Sequence, residues 1–366
     1  MKKNHFLYAV SLYTLTVLLL AITTPISPHE AKIYFSQDPY DMTALFMHWG
    51  DAIFHTFLGL RVFFLLLAFV SLRIFYELAQ RYFSKREDVY LATALFMFLP
   101  GILTASSLAN IGIIVLMLVL LFVLLYEKRL LLPLPFIMLA LFFVHEASII
   151  FFIALFFYSL SSKEKWLGIL SLAFLIAFIY LSKGIEIGGR PTGHFIEIFG
   201  LYAAVFSPLL FLYFFYTMYR ILLREEKHLM WYISFTALVT SLILSLRQKV
   251  YITDFAPYVM ISTIVMVDIY MRSLRVRLPQ FQKTYKRAFY IVIALLVFSS
   301  LTIVTHQLSY QMTQNPKKHF AHRIYEPYIL AQKLKAEGKK CYDAKGRRAL
   351  QLQYYGIPSC TNRNEH

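Results

Sequence analysis

Apolar runs of about 20 residues recur along nearly the whole chain, and each is long enough to cross the hydrocarbon core of a bilayer. The runs are rich in Leu, Ile and Phe and lack the polar alternation of barrel strands, so they predict helices. Hydrophobic residues make up 59% of the 366 residues, which is more than a soluble globular domain carries. The sequence therefore predicts an all-α fold, a polytopic transmembrane helical bundle.

Hydropathy places about 11 membrane spans, separated by short polar connections. The spans are expected near residues 6–25, 56–79, 89–106, 109–126, 131–145, 147–161, 166–182, 199–220, 229–246, 257–271 and 288–305. The chain then continues as a polar tail that resembles none of these runs. We therefore expect a membrane domain at residues 1–305 and a small C-terminal domain at residues 306–366.

The formal net charge of +16 reflects membrane topology and does not call for a nucleic-acid partner. Lys and Arg concentrate in every second connection, such as 80–88, 221–228 and 272–287. Basic connections stay in the cytoplasm, so we predict a cytoplasmic N-terminus in a bacterial-type inner membrane. An odd number of spans then places the C-terminal tail on the extracytoplasmic side, which is an oxidising compartment. Cys341 and Cys360 lie in that oxidising compartment and are expected either to pair or to stay reduced.

The most polar segment of the chain, Pro28–Arg61, follows the first predicted span. Glu30 lies at its start, where a carboxylate with a tuned pKa is able to accept a proton from a hydroxyl or amine. His48, Asp51 and His55 follow i, i+3, i+7 spacing, which predicts one helical face. Such a face could bind a divalent metal or act as an acid–base pair. It is equally typical of the water-exposed side of a helix that lies at the membrane interface.

Three later groups of polar residues are predicted on the same outer face. They are His145 with Glu146, Arg190 with His194 in a Gly-rich segment, and Arg247 with Lys249 and Tyr258. Ionisable residues at a membrane are costly and point to function. Arg beside a Gly-rich backbone suits a phosphate, and paired bases suit an anionic head group. A water-exposed turn, a flexible loop and interfacial snorkelling explain the three groups as well.

Taken in order, these segments resemble the C-type (GT-C) membrane glycosyltransferases, which include protein O-mannosyltransferases and aminoarabinose-type lipid A transferases. Pro28-His29-Glu30-Ala31 stands where the family has an acidic motif after its first span. Gly59-Leu60-Arg61 and the segments 89–101, 106–129 and 247–258 follow the later family pattern. The chain departs from the family at Leu108-Ala109-Asn110-Ile111, where an Asp is missing, and in lacking a His-Pro-Pro-like element.

The resemblance implies transfer of a sugar from a polyprenyl-phosphate donor to a lipid, glycan or protein acceptor on the outer membrane face. Glu30 would be the base, and Asp38, Asp41 or Asp51 of the same loop could substitute for the missing family elements. The residues that would hold the donor phosphate are Arg61, Arg190, Arg247 and Lys249. Membrane lipids are the other expected partner. A lipid-linked saccharide transporter or flippase, an O-antigen ligase-like protein and a catalytically inactive relative remain open as alternatives.

Overall fold

The computed structural model describes residues 1–38, 41–181 and 193–360, and its regular structure is entirely helical. The nineteen α-helices of these ranges are α1 (Lys3–Thr23), α2 (Pro28–Tyr34), α3 (Met42–Ile53), α4 (Phe57–Tyr82), α5 (Arg86–Met97), α6 (Pro100–Ser107), α7 (Ile111–Glu127), α8 (Leu134–Val144), α9 (Ile149–Ser162), α10 (Lys165–Tyr180), α11 (Phe195–Phe206), α12 (Pro208–Arg224), α13 (Leu229–Ser245), α14 (Ile252–Met260), α15 (Thr263–Val276), α16 (Pro279–Val304), α17 (His306–Met312), α18 (His322–Ala336) and α19 (Arg347–Tyr354). Two short 3₁₀ helices occupy Glu146–Ser148 and Pro316–Lys318. The prediction of an all-α polytopic bundle is confirmed.

The membrane-spanning candidates fall into three length classes. Within the described ranges, α1, α4 and α16 are each long and apolar enough to cross a bilayer. The pairs α5–α6, α11–α12 and α14–α15 pass the same test together, with bends of 62°, 107° and 43°. The other apolar helices, α7, α8, α9, α10 and α13, are shorter. Every predicted apolar stretch is thus helical, and length and composition support three to six spans among the described residues.

Proline and backbone conformation account for the sharpest bend. Pro208 begins α12, where its missing N–H costs nothing but where it cannot continue the preceding helix. Ser207 before it has a φ of 80°, which ends the helical path of α11. Pro100 begins α6 in the same way after the break that follows α5. A hydropathy profile contains no information on backbone conformation, so it predicts one continuous span for each of these bent helix pairs.

The described residues form two compact units. The first unit comprises residues 1–13, 67–105 and 111–300. The second unit comprises residues 14–66, 106–110 and 301 onward. The second unit therefore combines the C-terminal segment with the polar loop after the first predicted span. The division into a membrane domain at residues 1–305 and a C-terminal domain at residues 306–366 stays a prediction.

The first unit is held by apolar helix packing. Within it, α9 packs against α10 and α13, α14 packs against α13 and α7, and α15 packs against α5. Aromatic side chains fill many of these contacts, and Phe75 stacks on Phe96 with ring centroids 3.8 Å apart. The buried carboxylate of Asp88 is paired with the guanidinium of Arg275. Such a core suits helices whose remaining surface faces lipid.

The second unit is built around the short helices α2, α3, α18 and α19. α19 packs against both α2 and α18. Leu334 and Leu352 form part of the apolar core between α18 and α19. Cys341 and Cys360 are joined in a disulfide that closes the segment containing α19. The C-terminal segment is thereby fixed against the loop that holds Glu30.

Candidate active site

The start of α2 is determined by local sequence. Ser27 caps the helix, Pro28 occupies its first turn, and Glu30 is the third helical residue. The Glu30 N–H donates to Ser27 Oγ at 3.1 Å, and the Ser27 N–H donates to Glu30 Oε2 at 2.9 Å. This reciprocal pair is a capping box, which the spacing Ser-x-x-Glu encodes. It fixes both the position and the direction of the Glu30 carboxylate.

Arg61, near the start of α4, is fully buried, and all five of its N–H donors are used. Nε and Nη2 donate to the two carboxylate oxygens of Glu30, each at 2.8 Å. Nη1 donates to the carbonyls of Ala21 at 3.0 Å and Thr24 at 2.7 Å, and Nη2 donates to the carbonyl of Pro25 at 3.1 Å. A guanidinium has five such donors, so none is left for a phosphate in this structure.

The acceptor sites of the Glu30 carboxylate are likewise occupied by hydrogen bonds. Besides the two bonds from Arg61 and the bond from Ser27, its Oε1 accepts the Ala109 N–H at 2.8 Å. The side chain is 1% exposed. Burial acts to raise the pKa of Glu30, but the charge and hydrogen bonds of Arg61 and the two backbone N–H groups together hold the pKa below 4.5. Glu30 is therefore an ionised carboxylate with its acceptor sites occupied.

A second carboxylate of the same loop is more accessible. Asp51, in the last turns of α3, is partly exposed, and its Oδ2 accepts the hydroxyl of Tyr34 at 2.8 Å. Burial, together with the neighbouring Asp51, raises the pKa of Tyr34 to about 12. Tyr34 thus stays protonated at neutral pH and remains a donor to Asp51. A carboxylate oriented by one neutral donor keeps further acceptor capacity.

Aromatic rings surround this pair. The ring of Tyr34 lies 4.4 Å from that of His48 and 5.4 Å from that of Tyr354 on α19. α19 is attached to the loop by Gln351, whose Nε2 donates to the Ile26 carbonyl at 2.9 Å. The C-terminal helix therefore contributes one wall of the polar site. Aromatic faces beside a carboxylate form a surface suited to a sugar ring.

The predicted helical face of His48, Asp51 and His55 is only partly formed. α3 ends at Ile53, and Phe54 takes an extended conformation, so His55 lies beyond the helix. The backbone of α4 approaches at this point, because a Cβ on Gly59 would lie 1.9 Å from the Phe54 carbonyl oxygen. The described residues contain no group of three or more His, Cys, Asp or Glu side chains arranged to hold a metal ion.

The first unit contains the remaining candidates. His145 ends α8, and its Nε2 lies 3.7 Å from Asp254 Oδ1. Glu146 beside it is exposed. Tyr258 is fully buried, and its hydroxyl donates to Ser148 Oγ at 3.1 Å. Tyr258 therefore contributes to the packing of α14 rather than to an open surface.

Glu197 joins two other candidates of the first unit. Its Oε2 lies 2.9 Å from His194 Nδ1, and its Oε1 lies 3.4 Å from Lys249 Nζ. Arg247 is exposed. Arg190 lies outside the described residues. The structure thus brings Glu30 and Arg61 together in the second unit, and His194 and Lys249 together in the first.

Three features of the second unit were not predicted from the sequence. The spacing Ser27-Pro28-His29-Glu30 contains the capping-box signal, which would have indicated a structural role for Glu30. Nothing in the sequence indicated a role for Tyr34 and Tyr354. Tyrosines are common at membrane interfaces, and the contact between these two joins distant parts of the chain. Gln351 is a buried polar residue whose partner is likewise remote in sequence.

Comparison with solved structures identifies the architecture. ArnT from Cupriavidus metallidurans, in its apo crystal structure, aligns with 96% of this chain and 74% of its own, at a TM-score of 0.56 and 12% identity. The crystal structure of the same protein bound to undecaprenyl phosphate aligns with 97% of this chain and 75% of its own, at a TM-score of 0.56 and 10% identity. The chain has a GT-C-like fold. No protein-family model and no curated protein sequence matches it.

The GT-C-like fold confirms the coarse part of the family resemblance. The TM-score of 0.56 shows a shared fold, and at identities of 10–12% it carries no residue roles from one protein to the other. The roles of Glu30, Asp51 and the basic candidates therefore rest on the residues of this chain, chiefly on those of α2, α3 and α19.

Proposed function

We propose that this protein is a membrane glycosyltransferase that moves a sugar from a polyprenyl-phosphate donor to an envelope acceptor on the extracytoplasmic face. Two findings support the donor class: the GT-C-like fold and the undecaprenyl phosphate bound by one structural neighbour. The observation that carries the proposal is the accessible Asp51–Tyr34 pair in the loop after α1.

Asp51 is proposed as the general base. It would take the proton of an acceptor hydroxyl or amine while that atom attacks the anomeric carbon. The bond from that carbon to the phosphate oxygen breaks, and polyprenyl phosphate leaves with the electron pair. Asp51 suits this step better than Glu30, because its carboxylate is partly exposed and accepts a single side-chain hydrogen bond from Tyr34.

Glu30 and Arg61 are proposed to position the loop. Their mutual bonds and those to the Thr24 and Pro25 carbonyls hold the chain between α1 and α2 in one conformation. The donor phosphate is then assigned to basic candidates other than Arg61. Those candidates are Arg190, Arg247 and Lys249, and their role is still a prediction.

A second function is favoured by one specific observation. If Glu30, the acid after the first span, is the base of the family, its ion pair with Arg61 leaves it unable to accept a proton from an acceptor. The chain would then be a relative that has lost catalysis, and it would act by binding a lipid or a partner protein. Substitution of Asp51 separates the two proposals, because an inactive relative has no transfer to lose.

The test uses a strain that lacks the protein and is complemented with wild type, Asp51→Asn or Asp38→Asn. Mass spectrometry of envelope glycolipids and glycans is expected to show one sugar decoration missing from the deletion strain. Wild type and Asp38→Asn should restore that decoration. Asp51→Asn should lower it by at least about a hundredfold, the usual scale of a lost general base. Asp38 is an exposed acid of the same loop and serves as the matched control.

Three outcomes would oppose the proposal. Full activity of Asp51→Asn at equal protein level would remove Asp51 as the base. An unchanged set of sugar decorations in the deletion strain would favour the inactive relative. Accumulation of a lipid-linked precursor on the cytoplasmic face would favour a transporter.

A further inference from the structure

The disulfide between Cys341 and Cys360 closes a loop that contains α19. Hydrogen bonds join the two ends of this loop beside the disulfide. The Tyr342 N–H donates to the Pro358 carbonyl at 3.0 Å. The Cys360 N–H donates to Asp343 Oδ1 at 2.9 Å. Both cysteines are partly exposed, so the disulfide is open to thiol–disulfide exchange.

The enclosed helix α19 reaches the site around Asp51. Tyr354 of α19 packs its ring 5.4 Å from that of Tyr34, and the Tyr34 hydroxyl donates to Asp51 Oδ2. Gln351, also on α19, is buried and donates from Nε2 to the Ile26 carbonyl at 2.9 Å. The ring that supports Tyr34, and with it the donor to Asp51, therefore stays in place only while α19 is docked.

α19 is too short to be stable by itself. It has eight residues, and isolated helices shorter than about 12–15 residues are marginal in water. Gly346 and Gly356 flank it with φ angles of 63° and 82°, and glycine loses more conformational freedom on ordering than any other residue. Its core contact with α18 is small and includes Leu352 and Leu334. The docked state of α19 therefore depends on whatever limits the freedom of the undocked chain.

The disulfide supplies such a limit. A cross-link removes conformations from the undocked chain and leaves the docked chain as it is. The two cysteines are 19 residues apart, and closing a loop of this size shifts the ratio of docked to undocked chain on the order of a hundredfold. Reduction returns those conformations and thereby favours undocking of α19.

On the basis of the proposed function, we propose that the Cys341–Cys360 pair is a redox-modification site that controls transfer. With the disulfide formed, α19 is docked and Tyr34 presents its hydroxyl to Asp51. With the disulfide reduced, α19 leaves the site, Tyr34 loses the Tyr354 ring, and Asp51 loses its fixed orientation. Transfer then occurs only where the tail is oxidised, and disulfides persist outside the reducing cytoplasm.

The chemical step is thiol–disulfide exchange with a dithiol. One thiolate of the dithiol attacks a cysteine sulfur, the S–S bond breaks, and the other cysteine leaves as a thiolate that takes up a proton. The second thiolate of the dithiol then attacks the mixed disulfide and releases the first cysteine, which also takes up a proton. Two electrons pass to the Cys341–Cys360 pair, and the dithiol ends as a disulfide. Oxidised glutathione drives the reverse exchange.

Hydrogen–deuterium exchange of the full-length protein in detergent measures the docking of α19. Dithiothreitol should raise the exchange rate of the α19 amides at least about tenfold, since the loop-closure effect is on the order of a hundredfold. The amides of α7, in the first unit, should keep their rate. Replacing dithiothreitol with oxidised glutathione should restore slow exchange. In Cys341→Ser/Cys360→Ser, α19 should exchange fast with or without dithiothreitol, which shows that the reagent acts through this disulfide.

The effect on transfer is measured in the complemented deletion strain. Cys341→Ser/Cys360→Ser should lower the sugar decoration at least about tenfold at equal protein level, in line with the loss of docked α19. Gln351→Leu keeps the disulfide but removes the bond to the Ile26 carbonyl, so it should also lower decoration. The triple variant should lose less than the two losses combined, because both act through α19. Ser359→Ala is the matched control, since it removes only a hydrogen bond to Asp343 and should keep slow exchange and full decoration.

Three results would overturn the proposal. The first is slow exchange of α19 in the reduced protein. The second is an equal rise of exchange in α7, which would mean that reduction destabilises the whole protein. The third is full decoration by the cysteine variant. A deletion strain that lacks no decoration would instead contradict the proposed function, and the exchange rates would still decide whether the disulfide holds α19.

Discussion

At the scale of single residues, the Glu30–Arg61 pair illustrates how a buried charge is tolerated. Moving two charges out of water is costly, and the cost is offset when every donor and acceptor finds a partner. Here the guanidinium and the carboxylate are both saturated. Because the pKa of Glu30 is lowered, the contribution of the pair is complete above pH 4.5 and is lost only as the pH falls through that lowered pKa.

Removal of both partners is expected to cost less than the sum of the two single removals. Glu30→Ala leaves Arg61 buried and uncompensated, and Arg61→Ala does the same to Glu30, so each should cost about 3–5 kcal/mol. The double variant Glu30→Ala/Arg61→Ala should cost clearly less than the sum. Thermal unfolding in detergent at neutral pH measures all three. Additive losses would contradict the proposed coupling.

At the scale of elements, the junction of α3 and α4 is a close backbone contact. A Cβ on Gly50 would lie 2.0 Å from the Gly59 carbonyl oxygen, and one on Gly59 would lie 1.9 Å from the Phe54 carbonyl oxygen. Backbone atoms have no rotamer by which to move aside. The junction also fixes the position of Arg61, which follows Gly59 by two residues on α4 and pairs with Glu30.

Gly59→Ala is therefore expected to destabilise the second unit and to lower the yield of folded protein. Gly200→Ala is the matched control, since nothing lies within 4 Å of a Cβ at that helical position. That control should be neutral or slightly stabilising, because Ala favours a helix over Gly by about 0.5–1 kcal/mol. Melting temperature and size-exclusion profile report the difference. Equal behaviour of the two variants would show that the junction adjusts freely.

The helices were predictable from sequence because hydropathy acts locally, whereas the site depends on contacts between distant segments. Glu30 and Arg61 were both selected by their polarity beside apolar runs. Their pairing was not foreseen, since it depends on how α2 and α4 pack, 31 residues apart in sequence. The bend at Ser207 was missed for a related reason, because hydropathy carries no information on φ.

At the scale of the whole molecule, charge and covalent structure support the same orientation. Lys and Arg gather in alternate connections, which predicts a cytoplasmic N-terminus. The Cys341–Cys360 disulfide belongs to the tail, and disulfides persist in oxidising compartments. An extracytoplasmic C-terminal segment stays a prediction, and the proposed function needs it because α19 forms a wall of the site.

Labelling of single cysteines in intact cells tests this orientation. In a Cys341→Ser/Cys360→Ser background, Lys317→Cys lies in the tail and Lys85→Cys in a basic connection, and both native side chains are exposed. A membrane-impermeant maleimide should label Lys317→Cys in intact cells and label Lys85→Cys only after permeabilisation, because the bilayer excludes the charged reagent. Labelling of both in permeabilised cells is the control for accessibility. The reverse pattern would place the loop of Asp51 in the cytoplasm and would exclude transfer on the extracytoplasmic face.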